Sequence, residues 1–442
     1  MSARARFAEL PALVIGVLLL STAADILPND TIVGVGEVQL NLARLLVLVA
    51  AGAFVATQGL RRAHWHSGVA LPLLLLLAVS LYASHKWGTY PRYRFLVEGV
   101  AVFYLTFAVV RARSDGRDVL ATVGLIALAI AALTAVAQVA QGVHTGFYRQ
   151  GCTPLTLTPA ATPPSGALTR ATGTFANPNV LGGYLLLVLP LGAMASAYVA
   201  RVKGMWAALA LGCGFGFLAL VLTFSRAAVL ASLVAIAVGV LVSDLRYRRW
   251  LFLVVAAVAV AIGVLAGGCG SEATASYGRA EEWQATLDVI RDNPVWGVGL
   301  GRLGFVLHAQ DPQSTARHAH NLFLTWWAEA GTGALIAWVW LWVLLLWRSF
   351  RAALRGSAAA RTALVALLGF LGISMLDHPA NTDRVALAFW IVAGFAAASG
   401  DPGRGWLRRL RGRGGGESAE LEHEPSLAGR PRSGNVRPLP RT

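Results

Sequence analysis

An all-α polytopic membrane protein is the fold class this sequence predicts. Three observations carry that prediction: an apolar excess, about twelve hydrophobic runs of spanning length, and Lys and Arg gathered in alternate connections. Of 442 residues, 56% are hydrophobic and only 13% charged. Mean hydropathy is +0.61, outside the range of a soluble domain of this length.

A membrane-crossing helix needs roughly 20 mostly apolar residues. Runs of that kind cover about 11–28, 41–57, 69–84, 94–110, 119–141, 178–200, 205–223, 227–243, 251–267, 321–347, 362–377 and 384–400. The first is expected to stay in the membrane rather than be cleaved as a signal peptide. No small-residue cleavage site precedes Pro28-Asn29-Asp30, and further runs follow at once.

Orientation follows from the basic residues near span ends. With the N-terminus inside, the cytoplasmic segments hold Arg4 and Arg6, Arg61 and Arg62, Arg111 to Arg117, Arg201 and Lys203, Arg246 to Arg249, Arg348 to Arg361, and the tail from Arg404 to Arg441, which together take most of the 37 basic residues. An even number of spans puts both termini in the cytoplasm. The expected organisation is a membrane domain over 1–400, with external loops at 143–178 and 268–320 between spans 5 and 6 and spans 9 and 10. A basic, Gly/Ser/Pro/Glu-rich tail over 401–442 is expected to be disordered.

The net charge of +15 does not point to nucleic acid, because the Arg-rich stretch directly follows the last span. Contact with anionic membrane lipids accounts for it.

This topology leaves four polar segments on the external face that span anchoring does not explain. They are Val143 to Asn179, Thr223-Phe224-Ser225-Arg226, Cys269 to Asn321, and Asp377-His378-Pro379 through Arg384. Four loops on one face are able to converge on one site.

Arg226 sits between two apolar runs. It is either a snorkelling anchor or an anion clamp, since a guanidinium stays charged and grips phosphate oxygens bidentately. Arg279 and Trp283 lie on or just before an amphipathic helix over Ala280 to Ile290 that ends at Asn293-Pro294 and Gly297-Val298-Gly299. The bland reading is a helix on the membrane surface; the sharper one makes Arg279 a second phosphate or sugar-carboxylate contact. His318-Ala-His320-Asn321 closes the long loop where it enters a Trp-rich span. A His-x-His pair binds metal in some proteins, but the nearby sequence offers few further ligands. A general base is favoured instead, because an imidazole pKa near 6.5 suits removal of a hydroxyl proton.

Taken together these segments resemble a family. Arg170-Ala-Thr-Gly-Thr-Phe-Ala-Asn177-Pro-Asn179-x-Leu-Gly, then Phe224-Ser225-Arg226, then Arg279-x-x-x-Trp283 leading to Asn293-Pro294-x-x-Gly297-x-Gly299, and finally His320-Asn321-x-Phe-Leu with Glu329-x-Gly331 look like the O-antigen ligase and polymerase superfamily, over roughly residues 10 to 400. The resemblance implies a GT-C-like membrane glycosyltransferase of the Gram-negative inner membrane with a periplasmic active site. It implies a donor glycan on undecaprenyl diphosphate, a lipid A-core acceptor, an inverting reaction, and neither cofactor nor metal. By that analogy His320 is the base and Arg226 and Arg279 neutralise the diphosphate. Arg170, Asn177, Asn179, His318 and Asn321 bind substrate or support the site. One departure is visible: the second Gly expected at 334 is Ala334, with Gly333 beside it, which touches helix packing more than chemistry.

Two other readings remain. A polymerase joining two lipid-linked glycans shares the same motifs. A secondary transporter would place charges near mid-membrane in repeats, and here only Glu98 and Arg44 come near that pattern. Cys152 and Cys269 fall in external loops where a disulfide is permitted, while Cys213 lies inside a span.

Overall fold

The computed structural model of the chain describes residues 3–24, 33–35, 38–40, 42–58, 66–112, 115–142, 151–152, 168–175, 177–203, 206–243, 272–311 and 318–400. The predicted run 251–267, the tail 401–442 and Cys269 lie outside them, so the twelve-span count and the Cys152 to Cys269 pairing are not addressed by the fold. Cys213 is a free thiol.

The described elements are overwhelmingly helical. They are α1 (Ala3–Ala24), α2 (Leu42–Gln58), α3 (Ala70–Trp87), α4 (Tyr90–Ala112), α5 (Asp115–Ala140), α6 (Pro178–Lys203), α7 (Trp206–Leu222), α8 (Arg226–Leu241), α9 (Glu272–Asp292), α10 (Leu303–Gln310), α11 (Leu322–Leu354), α12 (Ala358–Ser374) and α13 (Asp383–Ser399), with a 3₁₀ turn at Pro379–Asn381. Two short antiparallel hairpins interrupt them, β1 (Val33–Val35) with β2 (Val38–Leu40), and β3 (Gly151–Cys152) with β4 (Leu168–Thr169). Strands of two or three residues carry too little alternation to be read from sequence.

Among the described residues, five helices are long and apolar enough to cross a bilayer: Ala70–Trp87, Tyr90–Ala112, Gly116–Ala140, Pro178–Tyr198 and Leu322–Leu354. Shorter apolar helices lie at Glu9–Ala23, Arg44–Thr57, Gly212–Leu222, Arg226–Leu241 and Ala358–Ser374. Each run reads as apolar on nearly all sides because it faces protein on one side and presents bare Leu, Val and Trp on the other. Leu74, Leu133, Leu230, Ile336 and Val343 are all exposed, as expected of surfaces that meet lipid.

α13 packs along α4, α12 against α6 and α8, and α5 against α1 and α6. An aromatic cluster of Phe103, Trp338, Trp342, Phe370, Phe389 and Trp390 fills the middle, with ring centres 5.3–6.3 Å apart from Phe103 through Trp390 to Phe389. The ion pair Arg44–Glu98, at 2.6 Å, joins α2 to α4. The two charges that came nearest to a transporter pattern therefore neutralise each other.

Contacts sort the connections into two ends. At one end Arg348 donates to the Ser67 carbonyl and Gly400 packs on Arg348. At the other end the segments around Arg170, Thr223, His320 and Asp377 meet. Arg384 anchors that second end. It donates to the Thr22 and Thr174 carbonyls at 2.8 Å each and lies over the Phe175 ring at 4.1 Å, so it fastens α13 to the end of α1 and to the loop before α6.

Candidate active site

Three helix starts build the site, and the sequence explains each. α6 opens with Asn177 as its cap, whose Oδ1 accepts the Asn179 N–H at 2.8 Å, and with Pro178 at the first helical position, where a missing N–H costs nothing. α8 opens behind Ser225, whose side chain accepts from Ala228. α11 opens behind Asn321, whose Oδ1 accepts the N–H groups of Phe323 and Leu324 at 2.9 and 3.0 Å. Asn321 also donates Nδ2 to the Met375 carbonyl at 2.9 Å, which locks this start to the end of α12.

These starts are neighbours. A side chain at Gly182 would stand 2.8 Å from the Ala228 Cβ, and one at Gly183 would stand 2.6 Å from Pro379. The glycine pair just past Asn179 therefore lets α8 and the Asp377–Pro379 segment close onto the first turns of α6.

Asp377 is the hub. One carboxylate oxygen accepts Asn179 Nδ2 at 2.7 Å. The other meets His320 Nδ1 at 3.1 Å and the His378 N–H at 2.7 Å. Burial alone would raise the Asp377 pKa, but the hydrogen bond and charge of His320, the charge of His318 and the His378 N–H outweigh it. The carboxyl is held well below its usual range and is ionised, so it only accepts and His320 Nδ1 donates. Nε2 is left as the basic nitrogen.

Burial pulls the His320 imidazole down, but the hydrogen bond and charge of Asp377, helped by Glu282 and opposed by Arg279, leave it above its ordinary value. Nε2 faces Glu282 Oε2 across 3.7 Å, too far for a hydrogen bond. That Glu282 oxygen is buried and has no hydrogen-bond partner. Burial pushes the Glu282 carboxyl up, offset in part by His320 and Arg279. Arg279 and Glu282 stand one helical turn apart on α9 and so share a face. The sequence reasoning passed over Glu282 and Asp377 as individuals, although both lie in segments it had singled out; the i, i+3 spacing from Arg279 was the available signal for Glu282.

His320 holds a left-handed backbone, φ 47, and Phe224 another, φ 50; they are the two non-glycine residues of this kind among the described residues. Such conformations persist where surrounding structure over-determines them, and they cluster at functional sites. At His320 the restraint is visible: its N–H donates to His318 Nδ1 at 3.1 Å, and the two rings lie 4.3 Å apart.

Arg170 supports the other strained turn. Its Nε donates to the Thr223 carbonyl at 3.0 Å, and the Ala171 N–H to the Leu222 carbonyl at 2.8 Å. Arg226, the first residue of α8, is exposed on that turn. The structure thus gathers His320, His318, Asn179, Asp377, Glu282 and Arg279 into one cluster. It sets Arg170 and Arg226 on the adjoining turn, and it uses Asn177 and Asn321 as caps.

The Asn293–Gly299 loop is pinned rather than free. α11 breaks at Gly331, φ 81 and ψ −177, a conformation essentially reserved for glycine. The Val298 and Gly299 N–H groups donate to the Ala328 and Glu329 carbonyls at 2.9 and 2.8 Å, and the Thr332 N–H donates to the Pro294 carbonyl at 2.9 Å. Gly297, φ 62, lies directly against the Ala328–Glu329 backbone. The spacings Gly297-x-Gly299 and Glu329-x-Gly331 are the two halves of one joint. Ala334, at the position where the resemblance expected glycine, is fully buried.

His318, His320 and Asp377 offer ligand atoms all within 4.8 Å of one another, a donor set that suits a divalent ion. Using His320 Nδ1 as a ligand would break its bond to Asp377.

Residues 211–339 match the family model described as O-antigen ligase. This segment is similar to the O-antigen ligase family. It contains Arg226, Arg279, Glu282, His318 and His320, whereas Arg170, Asn179 and Asp377 come to the O-antigen ligase segment from flanking parts of the chain. Comparison with curated proteins gives no match.

Proposed function

We propose that the protein is a membrane glycosyltransferase that moves a glycan from undecaprenyl diphosphate to a hydroxyl acceptor on the periplasmic face of the Gram-negative inner membrane, with both termini cytoplasmic and with lipid A-core as the acceptor. The observation that carries this reading is the ionised Asp377 holding His320 with its Nε2 turned to Glu282, which stands one helical turn of α9 from Arg279; His320, Glu282 and Arg279 lie in the segment that matches the O-antigen ligase family model.

In this mechanism the acceptor hydroxyl approaches His320 Nε2 from the side of the gap that Nε2 shares with Glu282 Oε2. Nε2 takes its proton as the oxygen attacks the anomeric carbon, and the bond from that carbon to the diphosphate oxygen breaks. Asp377 stabilises the imidazolium that forms. The leaving diphosphate gains charge, which Arg279, Arg226 and the positive starts of α6, α8 and α11 offset. Displacement in line from the opposite face inverts the anomeric centre. With these cations in place no divalent metal is required.

The test is reconstituted transfer with purified protein, undecaprenyl diphosphate-linked glycan and lipid A-core, products resolved by gel. One-step transfer that depends on lipid A-core and survives EDTA is expected. A ladder of longer lipid-linked glycans formed without lipid A-core would make the enzyme a polymerase, and loss of activity to EDTA that metal restores would return His318, His320 and Asp377 to the role of ligands.

A further inference from the structure

A cavity opens beside the site, between α4, α11, α12 and α13. It has an empty volume of about 700 Å³, which includes space open to the surface. Its walls include the aromatic side chains Trp326, Trp338, Phe389 and Trp390, and its polar lining side chains are Arg92, Glu329, His378 and Asn381.

Two of its lining side chains carry buried polar atoms with no hydrogen-bond partner, Trp338 Nε1 and His378 Nδ1. The Trp338 residue is 3% exposed and His378 8%. Leaving a buried donor or acceptor unmet is costly, and a hydrocarbon chain in the cavity would meet neither. A hydroxylated ring carries donors and acceptors of the kind both atoms lack, and C–H faces that suit the indoles. The cavity also lies close to the chemistry. The His378 ring is 5.7 Å from the His318 ring, which is 4.3 Å from that of His320.

We infer that this cavity is a subsite for one sugar ring of a glycan substrate, a few bonds away from the reacting carbon or hydroxyl. The inference rests on the proposed glycosyl transfer for its purpose, though not for its binding. Two sources share the chemistry, the acceptor core and the donor glycan. Trp326 and Trp338 are the platform, and Trp338 Nε1 and His378 Nδ1 are the polar contacts.

The experiment uses full-length protein in lipid nanodiscs and fluorescence anisotropy with three probes: labelled core oligosaccharide, labelled O-antigen glycan freed from its lipid, and undecaprenyl diphosphate without glycan as competitor. Trp326→Leu should weaken at least one glycan probe tenfold or more. Trp338→Phe, which keeps the ring but loses the N–H, should weaken the same probe at least threefold. Melting temperatures near wild type would show that both variants are folded. The probe affected names the source. Unchanged glycan affinity in both variants, no glycan binding by the wild type, or loss of undecaprenyl diphosphate affinity instead would overturn the subsite, the last by making the cavity a lipid site. Glycan binding lost in the variants by a protein that transfers nothing would sink the proposed function and leave the subsite standing. Normal transfer with unaltered glycan affinity would do the reverse.

Discussion

The His320 imidazole and the Asp377 carboxylate meet at 3.1 Å although 57 residues separate them in the chain. The histidine side chain remains 29% exposed while the aspartate is 8% exposed, so one partner can reach a substrate and the other can only act through it. The expected consequences can each be measured.

Asp377→Asn should lower kcat by about 10²–10⁴-fold, the range lost when general-base catalysis fails, because the amide no longer holds the Nδ1–H tautomer. Transfer rates of the folded variant against wild type decide it; a loss under threefold would remove Asp377 from the mechanism.

Activity should rise with pH through the His320 titration, and that titration lies above the ordinary imidazole value because the upward influence of Asp377 and Glu282 outweighs burial and Arg279. Removing the negative charge in Asp377→Asn should move this acid limb to lower pH. Removing the positive charge in Arg279→Gln should move it to higher pH, since Arg279 opposes protonation of His320. Profiles of kcat/KM for the three proteins check the two opposite signs.

Arg279→Gln should also cost about 10²-fold or more in kcat/KM, as the loss of a preorganised charge at a developing anion does. Arg279→Lys should recover part of it. Equal activity in all three would show that the diphosphate lies elsewhere.

Asp377 should add an acid-labile component to stability. Its folded pKa is depressed, so its contribution is present above the ordinary carboxylate value near 4 and is lost as pH falls from there toward the folded value. The melting temperature of the wild type should therefore drop more steeply below about pH 4 than that of Asp377→Asn.

Gly331→Ala should destabilise the protein by at least the ~1–3 kcal/mol of a strained backbone, because the new Cβ would fall on the Val295 carbonyl. It should also loosen the Asn293–Gly299 joint. Thermal melts measure the first effect and proteolysis within that loop the second.

Much of this was legible from residue order. Asn177-Pro178 reads as cap and first helical position because those preferences are local. Arg279 and Glu282 share a face because helical spacing demands it. Asn321 before an apolar run reads as a cap for the same reason. The break at Gly331 was not legible, since a glycine in an apolar run is equally compatible with close helix packing, and only the Val295 carbonyl lying against it decides the matter. The short hairpins escaped for lack of alternation.

The sequence by itself determined a helical membrane protein and the four polar segments from which the site is drawn, because hydropathy, charge and capping act over a few neighbouring residues. Tertiary structure decided that Asp377 rather than any nearer acid orients His320, that Glu282 faces its free nitrogen, and that Arg44 and Glu98 cancel each other. Those facts depend on which helix ends are brought together, and that is set by packing between segments tens to hundreds of residues apart, where small residues such as Gly182 and Gly183 permit a closeness that no local pattern records.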